Sequence, residues 1–233
     1  MKSLAFALFI FLTFASQSEA QTDQWTVKAG EEIKDAIPLN VRYRYPQFVS
    51  GMVYFKNGTQ SEGRLNLNLL NEEMQFINPA ADTLSIDNEA TIKYITIESD
   101  TFYYSKRRYL ELISRNASIQ LAKKERLKIG EAKKIGGYDQ PSPTSAITSV
   151  SRIYQGTEVA DLKQRAELLL VKETIYYIGD KYNNFLEANR KNLVKMFGRQ
   201  EVNIDHFLKE NKIRFYKEDD LKMLINFLAK TLK

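Results

Sequence analysis

The sequence predicts an α+β fold, in which an N-terminal antiparallel β-meander is followed by a β-hairpin and a helical C-terminal tail. Three observations support this fold class. Short runs rich in β-branched and aromatic residues recur at intervals of roughly ten residues from 48 to 135. Two more such runs lie within residues 167–178, and apolar residues then recur at helical spacing. The strand spacing is typical of a small barrel, roll or sandwich.

The clearest turn signal is Asn57-Gly58, which separates two strand-like runs. Both residue types tolerate positive φ, as a tight hairpin turn requires. After the turn, Leu65, Leu67 and Leu69 alternate with asparagine, so we expect the leucines to share one face of a strand. The remaining predicted strands of the meander span residues 74–77, 83–86, 91–97, 101–104, 109–113 and 118–122.

Residues 1–20 have the pattern of a signal peptide. Lys2 provides a positive start, residues 4–15 are apolar, and small residues precede a cleavage site between Ala20 and Gln21. The apolar run is shorter than the about 20 residues that span a bilayer as a helix. We therefore expect export to the periplasm or the extracellular space, with an N-terminal membrane anchor as the alternative.

Residues 21–47 form a lead-in to the meander. Trp25 and Val27 predict an early edge strand. Basic and apolar residues alternate from Val41 to Tyr45 before Pro46, which favours another edge strand that ends at the proline. A strip that stacks nucleic-acid bases is the alternative interpretation.

Residues 136–166 have the glycine, proline and serine content of a linker or long surface loop. The hairpin is predicted from the runs 167–171 and 174–178, with its turn at Lys172 and Glu173. It opens the last predicted unit, residues 167–233, which combines the hairpin with the helical tail.

Three helices are predicted in the tail, because apolar residues recur there three and four positions apart. The stripes are Leu193, Val194 and Phe197, then Ile204, Phe207 and Leu208, and finally Leu221, Leu224, Ile225, Leu228 and Leu232. Acidic residues begin the last helix and lysines end it, which complements the helix dipole. We expect its apolar face to pack on the protein's own sheet or helices, with a partner or membrane surface as the alternative.

Cysteine is absent, which excludes disulfides, thiol nucleophiles and thiolate metal sites, and favours a bacterial envelope over eukaryotic secretion. The single histidine, His206, is predicted to face solvent in the middle of a helix. A Ser-His-Asp triad and a histidine-rich metal site are therefore not expected. We assign no catalytic, cofactor-binding or metal-binding residues and expect no cofactor.

The chain has 34 Lys and Arg against 29 Asp and Glu, a net charge of +5, which loss of Lys2 and Glu19 with the leader leaves unchanged. This modest excess does not favour nucleic acid as a partner. Two basic clusters are candidates for an anion-binding patch, and solvated strand edges are the competing interpretation. They are Lys106, Arg107 and Arg108, and Lys123, Lys124, Arg126 and Lys128.

Several carboxylates surround the predicted turns, namely Glu72, Glu73, Asp82, Asp87 and Glu89. Their spacing is not that of a calcium loop, so turn formation explains them better than metal binding. Two carboxylates from separate turns could still form the acid/base pair of a glycan hydrolase.

Six stretches carry a resemblance to a known family, namely residues 55–58, 65–70, 74–77, 174–180, 192–197 and 208–213. They resemble a family of uncharacterised secreted proteins from Bacteroidetes-type bacteria. The resemblance covers most of the mature chain, rests on structural patterns, and implies bacterial export without an activity.

Together these features predict an exported, non-enzymatic binding or interaction module in the periplasm or at the cell envelope, with an envelope protein or glycan as its partner. A carboxylate-dependent glycan hydrolase and a polyanion-binding protein are the alternatives.

Overall fold

A computed structural model of the protein describes residues 24–116, 118–134 and 166–231. They form an eleven-stranded antiparallel sheet with helices concentrated at the C-terminal end, so the predicted α+β class and β-meander are confirmed. The predicted signal peptide, its cleavage site at Ala20 and Gln21, and residues 136–165 of the predicted linker lie outside the described residues.

The sheet follows the chain closely. Its order is β1-β10-β9-β8-β7-β6-β2-β3-β4-β5, with β11 also paired to β10. The strands are β1 Gln24–Val27, β2 Val49–Phe55, β3 Gln60–Asn68, β4 Glu73–Ile77, β5 Thr83–Ser85, β6 Ile92–Ile97, β7 Asp100–Tyr104, β8 Tyr109–Asn116, β9 Ile119–Lys134, β10 Ala166–Gly179 and β11 Phe185–Glu187.

Two one-turn helices lie in the lead-in and three longer helices in the tail. They are α1 Ile33–Ala36, α2 Leu39–Arg42, α3 Arg190–Phe197, α4 Glu201–Glu210 and α5 Glu218–Thr231. Asn189 caps α3, because its side-chain oxygen accepts a hydrogen bond from the Asn192 N–H.

The sheet curls until β9 meets the end of β3. The Leu127 N–H donates a 2.8 Å hydrogen bond to the Leu69 carbonyl, although β8, β7, β6 and β2 lie between these strands in the sheet order. The enclosed inner face carries the main core, which includes Leu65, Leu67, Ile95, Ile97, Phe102 and Leu127. The meander is therefore a roll.

The predicted leucine face of β3 is confirmed, but the alternating asparagines are buried as well. Asn66 is 1% exposed. Its amide donates to the Tyr45 and Gln47 carbonyls, and its oxygen accepts from the Tyr45 N–H. The side chain thus binds the lead-in backbone as a neighbouring strand would. This arrangement satisfies the polar groups that burial removes from water.

The helical tail packs on the protein's own sheet, as expected. Leu221, Leu224, Ile225 and Leu228 of α5 are at most 1% exposed and share a second core with strands β9 and β10. Burying each such side chain contributes about 1.5–3 kcal/mol. Within the described ranges, no helix combines the length and apolar character needed to cross a bilayer.

The hairpin turn predicted at Lys172 and Glu173 is wrong, because both residues lie inside the continuous strand β10. Neither residue favours a turn, and β9 pairs with β10 on both sides of them. A hairpin does follow, but β10 and β11 form it across residues 180–184.

Two other local predictions need correction. Of the residues predicted as an edge strand at 41–45, Val41 and Arg42 instead end helix α2, and only Tyr43 makes a β-bridge, to Asn68. At the first hairpin only Gly58 has positive φ, at 90°, and the Asn57 side chain instead accepts hydrogen bonds from Thr59. The early edge strand at Trp25 and Val27 is confirmed as β1.

Candidate functional site

Three segments that are distant in sequence meet around a cavity of about 220 Å³ at one end of the sheet. They are the β7–β8 turn at Ser105 and Lys106, the β10–β11 connection at Asp180 and residues 184–186, and the end of α3 at residues 195–197. We call this space the end cavity. Because each wall comes from a different element, the fold must be complete before the cavity exists.

The turn that forms the first wall has an unusual backbone. Lys106 and Arg107 have φ of 50° and 64°, and Ser105 and Arg108 exchange backbone hydrogen bonds of 2.9 and 3.2 Å. Two positive φ values are typical of a type I′ hairpin turn, which asparagine and glycine usually occupy. Left-handed backbone costs other residues about 1–2 kcal/mol each, so this turn carries basic side chains at the expense of stability.

Asp180 fixes the second wall. Its carboxylate accepts hydrogen bonds from the Tyr182 N–H at 2.8 Å, the Asn184 N–H at 2.9 Å and the Asn184 amide at 2.8 Å. Partial burial raises the pKa of Asp180, but these hydrogen bonds outweigh burial and hold that pKa below its ordinary value of 3.8. The carboxylate is therefore ionised near neutral pH and holds the connection in one conformation.

The floor of the end cavity is apolar. Phe185, Met196 and Phe197 line it, and Phe185 is 3% exposed. The Phe185 ring lies directly over Gly179, where an added Cβ would lie 2.5 Å from the ring. Glycine at position 179 therefore allows the floor to form.

Two lysines belong to the lining, Lys106 and Lys195. Both side chains are exposed, and neither has a carboxylate partner at ion-pair distance among the residues that the structure describes. Asp180 is the opposing charge in the lining, and its oxygens are already hydrogen-bonded. The cavity therefore joins unpaired positive charge to an apolar floor.

The rest of the first basic cluster divides between surface and sheet. Arg107 is exposed, whereas Arg108 lies over the Tyr177 ring, 5.5 Å from its centroid, and donates a 2.9 Å hydrogen bond to the Tyr177 hydroxyl. Burial raises the pKa of Tyr177, against a smaller opposing effect of Arg108. Of the first cluster, Lys106 alone lines the end cavity.

The second basic cluster lies along β9, where successive side chains point to opposite faces of the sheet. Lys124 contacts Glu72 at 2.5 Å, Arg126 contacts Glu173 at 2.7 Å, and Lys128 also pairs with Glu173. Lys123 points to the other face, where it meets Glu111 at 3.3 Å. All four cations of this cluster have carboxylate partners, and their proposed binding of anions stays a prediction.

An ion-pair network that the sequence does not predict lies between the two cores. Arg44 donates to both carboxylate oxygens of Glu111, at 2.8 and 3.1 Å, and lies 3.7 Å from Glu125. The hydrogen bond to Glu111 raises the pKa of Arg44 despite partial burial. Burial, with a 2.6 Å hydrogen bond to Asp100, also raises the pKa of Tyr45.

Glu111 and Glu125 both contact the Lys123 ammonium, at 3.3 and 3.7 Å, so their carboxylates lie close together. Glycoside hydrolases use carboxylates about 5–10 Å apart, and two oxygens that contact one ammonium at these distances are closer together than the upper end of that range. However, the two side chains are 11% and 12% exposed, and Arg44 and Lys123 contact the oxygens that a substrate must reach.

The turn carboxylates serve separate turns and strands. Glu72 pairs with Lys124, and Glu73 accepts a hydrogen bond from Ser85. Asp82 binds Asn78, and Asp87 accepts a hydrogen bond from the Asn88 N–H. Glu89 lies near Tyr104, and burial together with this carboxylate raises the pKa of Tyr104 to about 12. Across the described ranges, no three His, Cys, Asp or Glu side chains are grouped to hold a metal ion. The side chain of His206 is 77% exposed, as predicted.

Comparison of the chain with models of known protein families, with curated proteins and with solved structures gives no match. The end cavity therefore has to be interpreted from its own residues.

Proposed function

We propose that the mature chain is an exported, non-enzymatic binding protein of the bacterial envelope, and that the end cavity is its ligand site. The single observation that supports this proposal is the joining of three elements around a space lined by two lysines and an apolar floor. A concave, largely apolar site with a few polar groups is the usual form of a small-molecule site. The leader-like pattern of residues 1–20 supports export.

The proposal is tested by capture from the envelope. The mature chain from Gln21 is immobilised, incubated with envelope extract of the bacterium that makes it, and unfolded to release bound compounds for mass spectrometry. We expect at least one compound to be retained by the wild type and lost from Ser105→Trp, because a tryptophan at this wall fills the cavity.

The matched control is Val202→Trp, at a side chain of α4 that is 82% exposed. It should retain the same compound as the wild type. Asn184→Trp, which fills the cavity from another wall, covers the case in which Ser105→Trp fails to fold. Equal retention by the wild type and both cavity variants would contradict the proposal, as would no retention by any of them.

A carboxylate-dependent glycan hydrolase is the second candidate, because Glu111 and Glu125 both contact one ammonium group. It predicts turnover of envelope glycan that Glu111→Gln abolishes. Turnover that persists in Glu111→Gln and Glu125→Gln, or no turnover by the wild type, would remove this candidate.

A further inference from the structure

We propose that the end cavity binds an amphipathic phosphate ester, a phosphate headgroup on a short apolar stem. This inference rests on the proposed function and adds the chemical class of the ligand. It combines three features of the lining, which are the unpaired ammonium groups, the neutral hydrogen-bonding groups beside them and the apolar floor.

The positive charge at the cavity is available to a ligand. Lysines of the β9 cluster have carboxylate partners, whereas Lys106 and Lys195 have none among the described residues. Their two charges exceed the one charge of Asp180, so the lining has a net charge of +1. Lysine binds phosphate as a flexible point charge, and two lysines from different elements can approach different oxygens of one headgroup.

Neutral groups complete the headgroup site. Ser105 and Asn184 belong to the lining, and the Asn184 amide keeps one N–H beyond the one that it donates to Asp180. A phosphate group offers three strong acceptor oxygens, one more than a carboxylate. The presence of two lysines and two neutral donors in one lining therefore favours phosphate.

The floor determines the other half of the ligand. Phe185, Met196 and Phe197 present apolar surface that a free inorganic ion leaves uncovered. Binding of an apolar stem there removes apolar surface from water, so an ester should bind more tightly than the bare ion.

The backbone of the β7–β8 turn supports a role for its charge. Lys106 and Arg107 occupy left-handed conformations in which asparagine and glycine are more stable. Backbone strain of this kind is commonly found at functional sites.

The test uses the methyl groups of methionine as reporters. The chain has five methionines, and the mature form keeps Met52, Met74, Met196 and Met223. Met196 lines the cavity, Met74 lies in the main core and Met223 is exposed on α5. Methyl-labelled protein is titrated separately with butyl phosphate, inorganic phosphate, pentanoate and butanol.

We expect butyl phosphate to shift the Met196 resonance with a dissociation constant at least about tenfold below those of the other probes. The Met74 and Met223 resonances should not move. Lys106→Gln and Lys195→Gln should each weaken butyl phosphate about tenfold, whereas Lys181→Gln, outside the lining, should leave its affinity unchanged.

Several results would overturn the inference. Butanol as strong as butyl phosphate would show an apolar site without anion recognition, and equal binding of inorganic phosphate would show a site for the bare ion. Shifts of all four methionines, or none at Met196, would also contradict it. Since the capture experiment uses native extract, it can still support the proposed function when these synthetic probes fail.

Discussion

Arg44 binds Glu111 through two hydrogen bonds of 2.8 and 3.1 Å, and this pair ties the lead-in segment to strand β8. On one face of β9, Leu121 belongs to the second core and Leu127 to the main core, with Lys123 between them. The Arg44–Glu111 pair, which contacts Lys123, therefore lies at the boundary between these two cores, where polar side chains separate them.

Removing one partner of this pair should destabilise the fold. We expect Arg44→Met to lower the free energy of unfolding by about 2 kcal/mol, because it leaves the Glu111 carboxylate poorly solvated and without this partner. The loss should be smaller than for a fully buried ion pair, since Arg44 is partly exposed. The double variant Arg44→Met/Glu111→Met should recover part of the loss. Urea unfolding measures both, and additive losses would contradict direct coupling of the residues.

The helical tail should contribute to the stability of the whole chain. Leu224→Ala removes a buried side chain of α5 and should cost about 3 kcal/mol. The adjacent control, Met223→Ala, should change stability by less than about 0.5 kcal/mol because Met223 is 44% exposed. Equal effects in chemical denaturation would contradict packing of α5 on the sheet.

The strained β7–β8 turn predicts opposite effects on stability and binding. Lys106→Asn/Arg107→Gly should raise the free energy of unfolding by about 1–2 kcal/mol, because the new residues favour positive φ. The same variant should bind butyl phosphate at least about tenfold more weakly, since it lacks Lys106. A variant that is less stable, or that binds unchanged, would contradict the role given to this turn.

Gly179 should be required for the floor of the end cavity. In Gly179→Ala the new methyl group would overlap the Phe185 ring, which must move at a cost of about 1–3 kcal/mol. Adding Phe185→Leu should restore part of the stability, because a smaller side chain leaves room for the methyl group. Thermal unfolding of both variants checks this, and a neutral Gly179→Ala would contradict the packing.

The charge of Asp180 predicts a specific pH dependence. Because hydrogen bonds lower the folded-state pKa of Asp180, its stabilising effect is complete above the unfolded value of about 4. The effect declines as the pH falls through the folded pKa. Asp180→Asn should therefore be less stable than the wild type at pH 7, and the difference should shrink below about pH 4. A difference that is constant from pH 7 to pH 2 would contradict a contribution of the carboxylate charge.

The sequence predicts those parts of the fold that depend on local periodicity. Alternation at Leu65 and Leu67 identified an inner strand, and the stripe from Leu221 to Leu228 identified the buried face of α5. The β10 turn was misplaced because Lys172 and Glu173 interrupt an apolar run. In the structure they lie on opposite faces of one strand. Lys172 pairs with Glu125, and Glu173 pairs with Arg126 and Lys128. A two-residue break in hydrophobicity does not distinguish such a strand from a tight hairpin.

The candidate site was less accessible to sequence reasoning. Lys106 belonged to a predicted basic cluster, but Lys195 and Phe185 become its neighbours only through tertiary contacts of β11 and α3. The lysines along β9 looked like free charge because their partners, Glu72 in the β3–β4 turn and Glu173 on β10, are distant in sequence. The unusual residues of the β7–β8 turn were the available signal, since a Lys-Arg pair there departs from ordinary turn composition.

The most direct test of the account is photocrosslinking from the end cavity in living cells. A photoreactive analogue of leucine, which adds little volume, replaces Leu186 at the cavity wall, and Val202 in a control strain, and cells of the organism that makes the protein are irradiated. We predict a defined covalent adduct at position 186, absent at position 202, that addition of Ser105→Trp removes. No adduct at 186, or the same adduct at both positions, would contradict the assignment of the end cavity as the binding site.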